Sequence, residues 1–264
     1  MGSLAEHRPD TLRAAGALNE AGGVAMELAG RRFYPIQVAE KGFEVFRIRV
    51  HGTWGHGSMP REDNALVLAA EAVRRLATPG EPRLTRPMRQ FLDGIAADRG
   101  HQLCLLLRDS ISPDVLHAGI KYNVIPGEAV LEIDCRTLPG TTPEDMREEV
   151  RARLGDLAPQ CTLEHVIGRP PVENPQGDLY ELLAATIRAH DPDAIPLPVM
   201  TPFATDAKTT ALRLGIPTYG FTPLRLDPEE RFLARYHGVD ERVGLDALRW
   251  GLPVLYDVVA AYCG

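Results

Sequence analysis

His56 sits between Gly55 and Gly57 in the stretch His51–Pro60, HGTWGHGSMP. Glycines at 52, 55 and 57 break regular structure there and let the backbone come close to another group. An imidazole in such a loop can donate a proton or a hydrogen bond near neutral pH, which suits the stabilisation of an oxyanion. The same spacing also fits an ordinary surface-loop histidine. Three later stretches invite the same scrutiny: Tyr122–Pro126 (YNVIP), Asp134–Gly140 (DCRTLPG) and Tyr236–Val243 (YHGVDERV). Upstream, Glu20 stands where a short apolar run ends against Ala21-Gly22-Gly23, which by itself describes a solvated carboxylate beside a turn.

The elements that must hold these residues follow from periodicity. Phe43–Val50 alternates apolar and polar residues as a strand with one buried face does. Asp63–Thr78 reads as a helix, with Asp63 as N-cap, Leu66, Ala69, Ala70, Val73 and Leu76 along one face, and Pro79–Pro82 as the stop. Before the glycine turn, Leu4–Ala15 reads as a helix, Gly16–Glu20 as a short strand and Arg31–Glu40 as a longer one, with Lys41-Gly42 as a hinge. Beyond it, Met88–Ile95 and Leu103–Leu107 read as helical, and Ile120–Val124 and Ala129–Arg136 as strands turned by Pro126-Gly127. Thr142 caps a helix that Pro143 starts, with Glu144 and Asp145 against the positive end of its dipole, and Cys161–Gly168 is one more strand. From Phe43 to Gly168 the order is that of a ferredoxin-like α+β sandwich.

After Arg169-Pro170-Pro171 the pattern alternates helix and strand: Asp178–Ala189, Pro196–Thr201, Asp206–Leu214, Pro217–Phe221 and Gly244–Ala261. That alternation marks an α/β layer. The domains expected are therefore 1–42 and 169–264, two parts of one α/β domain, with 43–168 inserted between them. Composition excludes other classes. A formal charge of -7 over 264 residues offers no basic face for nucleic acid. Cys104, Cys135, Cys161 and Cys263 show no paired spacing, so reduced thiols are expected. With no apolar leader core and no run of membrane-spanning length, the chain reads as soluble and cytoplasmic, with no membrane partner.

GHGSMP followed by DNAL, then YNVIP, DCRTLPG and HGVDERV, in that order, resembles the two-zinc metallopeptidases and amidohydrolases that include carboxypeptidase G, acetylornithine deacetylase, succinyl-diaminopimelate desuccinylase and aminoacylase. The resemblance covers most of the chain. It implies a zinc-peptidase α/β catalytic domain with an inserted dimerisation domain, two zinc ions, and a homodimer formed through residues 43–168. Glu20, in LNEAGG, matches a ligand of one zinc, and His237 a ligand of the other. His56 would serve catalysis, reaching the site of the partner subunit, and Asn123 and Arg136 would hold substrate. The chemistry fits those roles, because an arginine can grip a carboxylate with two parallel hydrogen bonds and an asparagine amide can donate to a carbonyl or carboxylate oxygen. Thr205-Asp206 resembles a pair placed near substrate, while Thr205 reads equally well as the N-cap of its helix.

The resembling enzymes also place a His-x-Asp pair, a metal-bridging aspartate and a Glu-Glu pair, whose first glutamate is the general base, ahead of the segment matching Leu4. The sequence from Met1 contains none of these. One ligand per metal falls short of the three that a catalytic zinc takes. The expectation is thus an N-terminally incomplete hydrolase of amide or peptide bonds in small carboxylate-bearing substrates, such as dipeptides or N-acyl amino acids, inactive as this chain alone. The alternative is a non-catalytic dimerising or ligand-binding remnant of such an enzyme.

Overall fold

The computed structural model describes residues 2–28, 30–95, 106–227, 235 and 238–264. In chain order, α1 (Gly2–His7) and a 3-10 turn (Pro9–Leu12) lead to β1 (Ala17–Asn19), β2 (Met26–Leu28), β3 (Arg31–Glu40), β4 (Gly42–His51) and β5 (Gly55–His56). Two helices follow, α2 (Ala65–Leu76) and α3 (Arg86–Ile95), then β6 (Ser110–Ala118), β7 (Val124–Ile125), β8 (Glu128–Thr137), α4 (Pro143–Leu154) and β9 (Cys161–Arg169). The remainder is β10 (Val172–Glu173), α5 (Asp178–His190), β11 (Ile195–Thr201), α6 (Asp206–Leu214), β12 (Thr218–Gly220) and α7 (Leu245–Cys263). No helix among the described residues is long and apolar enough to cross a membrane.

Two compact units result. One comprises Met1–Glu40, Leu84–His101 and Val172–Gly264; the other comprises Lys41–Arg83 and Gln102–Pro171. In the first unit, β3 is buried almost without interruption from Phe33 to Glu40, as a strand covered on both faces must be. It pairs parallel with β11 and antiparallel with β2, β10 and β12, while β1 pairs parallel with β12 at one end of the sheet. Tyr34 of β3 stacks on Trp250 of α7 with ring centroids 5.3 Å apart, and its hydroxyl donates to Asp191, which also accepts from Arg32 at 2.8 Å.

The second unit is an antiparallel sheet in the order β6-β8-β4-β9, with α2 and α4 packed on one face. In β4 and β8 the alternation of buried and less buried positions is strict. Phe46, Ile48 and Val50 of β4 and Ala129, Leu131 and Ile133 of β8 enter a core completed by Ala65, Ala69, Ala72 and Leu76 of α2 and Met146, Val150 and Leu154 of α4. Three alanines at helical spacing let α2 lie close against the sheet. On the opposite face, Arg47 donates twice to Glu132 and also pairs with Glu164 across neighbouring strands. Mixed α/β architecture with a ferredoxin-like unit is thus the fold.

Several boundaries differ from expectation for identifiable reasons. The helix expected over Leu4–Ala15 ends at His7, because Pro9 brings no N–H and its ring would meet the preceding turn. Asn64, rather than Asp63, caps α2 by accepting from the Leu66 amide at 3.0 Å, and Asp63 is engaged by Arg61. Leu66, expected on the buried face, is exposed, the face running instead through Ala65, Ala69, Ala72 and Leu76. Ile120–Val124 is mostly turn after Gly119 at φ +76°, and the strand lies earlier, at Ser110–Ala118. Residues 103–105 of the expected Leu103–Leu107 helix lie outside the described residues.

Candidate functional site

At one end of the second unit's sheet, the two-residue strands β5 and β7 pair so that His56 faces Val124 and Gly55 faces Ile125. The Gly57 amide donates to the Asn123 carbonyl at 2.9 Å. A side chain at 57 would press on the Asn123 backbone at 3.2 Å, so glycine is what allows the approach. His56 and Asn123 are therefore brought together by the backbone. The Ser58 amide donates to His56 Nδ1 at 3.2 Å, with Ser58 Oγ at 2.8 Å from the same nitrogen. Since a backbone N–H only donates, Nδ1 is the acceptor nitrogen and the neutral ring carries its proton on Nε2. The exposed imidazole thus offers a fixed N–H donor. Beside it, Asn123 Oδ1 is buried and takes no hydrogen bond, an expensive arrangement for a polar atom.

Arg136 lies at the other end of the same sheet. In register it faces Phe43 on β4 and Ser110 on β6, whereas Val50 and Ala129 face each other near the His56 end. The seven residue steps from Ala129 to Arg136 amount to about 23 Å along the strand. The Arg136 fork is engaged: Nε and Nη2 donate to the two oxygens of Asp134 at 2.6 and 2.9 Å, and the guanidinium lies 5.7 Å from the Phe43 ring centroid. In the same unit, Lys41 is buried and donates to the Arg108 carbonyl. Burial pushes its pKa down to about 8, opposed by Asp109 and reinforced by Arg136.

In the first unit, Thr205 is the N-cap of α6, accepting from the Ala207 amide at 3.2 Å, with Asp206 in the first turn. Its hydroxyl donates to Glu40 Oε1, its amide donates to Glu40 Oε2 at 3.1 Å, and Asn19 Nδ2 donates to Thr205 Oγ1 at 2.6 Å. Gln37 Nε2 adds a donor to Glu40 at 2.8 Å. Sequence reading passed over Asn19, Gln37 and Glu40. The available signal was a pair of polar residues, Gln37 and Glu40, within an otherwise apolar strand. Glu20, the expected ligand next to Asn19, is exposed and lines a groove beside α7. His237 lies outside the described residues. Among those described, no three His, Cys, Asp or Glu side chains converge on a point that could hold a metal. The described residues therefore do not make up the ligand set of a catalytic zinc.

Residues 38–162 match the model of a peptidase dimerisation domain. The chain is 27% identical over 234 residues to the probable carboxypeptidase S-like 2 of Dictyostelium discoideum, covering 79% of this chain and 44% of that protein. It is 26% identical over 255 residues to the human N-fatty-acyl-amino acid synthase/hydrolase PM20D1, covering 85% of this chain and 50% of that one. It is also 31% identical over 144 residues to a succinyl-diaminopimelate desuccinylase of Bordetella petrii, 54% of this chain and 33% of that enzyme. The chain thus spans about half the length of the first two relatives. Among solved structures, aminopeptidase PepT from Bacillus cereus superposes with a TM-score of 0.65 at 14% identity, covering 98% of this chain and 61% of that one. The M20 family metallo-carboxypeptidase Sso-CP2 from Sulfolobus solfataricus does so at 0.63 and 12%, covering 98% and 71%. These likenesses and the motifs in register point one way: residues 38–162 are an M20 peptidase dimerisation domain, and the relatives and structural neighbours that the chain resembles are M20 peptidases and amidohydrolases.

Proposed function

We propose that the chain is part of a metal-dependent hydrolase of amide or peptide bonds, acting in the cytoplasm on small substrates with a free carboxylate, such as dipeptides or N-acyl amino acids. The observation that carries this reading is the His56–Asn123 pair. A histidine with Nδ1 occupied and Nε2–H directed outward is set to donate to an oxyanion as it forms, and the adjacent Asn123 amide can support the same oxygen or a neighbouring one. Arg136 is the natural grip for the substrate carboxylate, displacing Asp134 from its fork. Because the His56 loop follows the end of β4 that Ala129 faces, and Arg136 lies seven residues, about 23 Å, farther along β8, this reading does not have one small substrate span both in one chain. A homodimer through the dimerisation domain supplies the second set, with His56 and Asn123 of one chain serving the site that holds Arg136 of another. Thr205 and Asp206 stand on the α/β unit as further substrate contacts. Zinc is the ion this reading expects, with Glu20 and His237 as this chain's contribution. Two such residues do not complete two catalytic zinc sites, so no step is assigned to metal here.

The test is hydrolysis of dipeptides and N-acyl amino acids by the longest available form of the protein, with zinc per chain measured after dialysis. His56→Gln should lower kcat by roughly 10²–10³ with little change in KM. Glu20→Ala with His237→Ala should release bound zinc. The competing reading, a dimerising or ligand-binding remnant, draws on the Asp134 carboxylate that already fills the Arg136 fork. It prevails if that form binds no zinc and hydrolyses nothing yet still dimerises.

A further inference from the structure

Three side chains stand in one row across the second unit's sheet. In register, Phe43 of β4 faces Arg136 of β8 on one side and Arg169 of β9 on the other. Side chains directly opposite each other on antiparallel strands point to the same face. Here that face is the one away from the helices, because Phe46, Ile48 and Val50 of β4 and Ile133 and Cys135 of β8 alternate onto the covered face. Neighbouring strands lie about 4.8 Å apart, so Arg136 and Arg169 start from backbone positions about 10 Å apart, with Phe43 between them. The Arg136 guanidinium lies 5.7 Å from the centroid of that ring.

Arg169 reaches this face through an irregularity in its strand. Along β9, Leu163 and His165 face Ile48 and Phe46, on the covered side, and regular alternation would put Ile167 and Arg169 there too. The register shifts between Val45 and Phe46, with Val166 as the extra residue, so that Ile167 faces Val45 and Arg169 faces Phe43. A bulge of this kind re-aims the side chains that follow it. Two close approaches on the covered side hold it: His165 Nε2 lies 2.5 Å from Oε2 of the buried Glu44, and a Cβ at Gly168 would meet the same oxygen at 1.7 Å. Arg169 itself is exposed and, among the described residues, forms no ion pair. Its neighbourhood is positive: Arg108 and Arg136 both repel the charge on buried Lys41, in a chain whose net charge is -7.

We propose that Arg169 is a specificity-determining contact beside Arg136, and that the two select substrates carrying a second carboxylate close to the first. The inference rests on the proposed role of Arg136 as the grip for the substrate carboxylate. One carboxylate displaces Asp134 from the Arg136 fork, the second takes the Arg169 fork, and the carbon chain joining them lies on Phe43. An amide of the same shape in place of the second carboxylate gives Arg169 a weaker acceptor and no charge to meet. The substrate class is therefore an amide or peptide whose terminal amino acid has an acidic side chain.

The experiment compares N-acetyl-glutamate with N-acetyl-glutamine, which differ only in that second carboxylate, on the longest available form of the protein. Calorimetric binding and kcat/KM are the readouts, for the wild type, Arg169→Gln and Arg169→Lys. The wild type should favour the glutamate compound by about tenfold or more in both. Arg169→Gln should erase that preference by weakening the glutamate compound alone. Arg169→Lys should keep part of it, since an ammonium retains the charge without the fork. Because Arg169 is exposed, the circular dichroism of both variants should match the wild type. The proposal is overturned if the wild type binds the two compounds equally or binds neither, or if the preference survives Arg169→Gln. Hydrolysis of neither compound, with a binding preference that Arg169→Gln removes, would count against the proposed activity and leave the Arg169 contact intact. Hydrolysis of both at equal kcat/KM would do the reverse.

Discussion

Helices α2 and α7 both bury a stripe of small residues, yet they end in opposite situations. On α2, Ala65, Ala69 and Ala72 meet the sheet, and the outer surface carries Glu71, Arg74 and Arg75 in ion pairs that extend to Asp156. On α7, Ala247 and Gly251 meet the core, and much of the outer surface is leucine, tyrosine and valine. The second unit encloses its central cluster with its own residues, although Leu66 and Val67 of α2 and Ile167 of β9 stay exposed. The first unit presents apolar surface on α7 that its described residues do not cover. Amphipathic periodicity therefore reports that a helix has an apolar face, and only tertiary structure reports whether that face is occupied.

If that contrast holds, the largest effect belongs to the closed core. Leu131 is buried among Ile48, Ala65 and Met146 in one cluster. Leu131→Ala should destabilise the second unit by about 3 kcal/mol, the loss of transfer energy plus a cavity, measured as a shift in the urea midpoint at constant slope. A loss below about 1 kcal/mol would mean that this core is loosely packed.

A closed unit should also reveal its buried charge. Burial lowers the Lys41 pKa from 10.5 to about 8, so above that pH the unfolded chain holds a proton that the folded chain has released. Stability then rises with pH from about 8 towards 10.5. Between pH 8 and 9 the gain should be about 1 kcal/mol, from 1.36 kcal/mol per pH unit at full difference. Between 9 and 10.5 it is offset: burial pushes the Cys135 thiol from 9.0 up to about 12, so the unfolded chain loses that proton first and the two slopes cancel. Lys41→Met should abolish the rise between 8 and 9 in urea titrations and unmask a fall above 9. Persistence of the rise in that variant would locate it elsewhere.

A smaller effect tests the same unit at a helix end. Thr142 caps α4 with a reciprocal capping box: its hydroxyl accepts from the Asp145 amide at 3.1 Å while Asp145 accepts from the Thr142 amide at 2.8 Å. Thr142→Ala should cost about 1 kcal/mol in the same assay. Thr142→Ser should recover most of it, and failure to do so would show that the methyl group, not the hydroxyl, matters here.

What the sequence disclosed follows the same division. Arg31–Glu40, Asp206–Leu214, the Thr142 cap and the strand order of the second unit were legible because each is a local pattern with a local cause. His56 was singled out from its glycines, and its pairing with Asn123 was not, because the 66 positions between them are closed by a two-residue ladder that leaves no periodic trace. The Asp134 partner of Arg136 was adjacent in sequence and still unread, since residues two apart on a strand share a face only once the strand is established. Glu40, fully buried with Thr205 and Gln37 on its carboxylate, looked like the polar end of a strand. Its role depends on α6, which lies far along the chain.

The smallest effect is the most informative about the contrast. Leu252 and Leu131 are the same residue type, each part of a regular apolar pattern, so a reading from sequence alone assigns them the same cost on truncation. In the chain by itself Leu252 has most of its surface in water, and Leu252→Ala removes contacts that are hardly made. The cost should stay within about 0.5 kcal/mol, with alanine's helix propensity offsetting part of it. Measured beside Leu131→Ala in one denaturation series, the pair isolates burial from residue identity. Should Leu252→Ala cost as much as Leu131→Ala, the outer face of α7 is already covered in solution by something other than water.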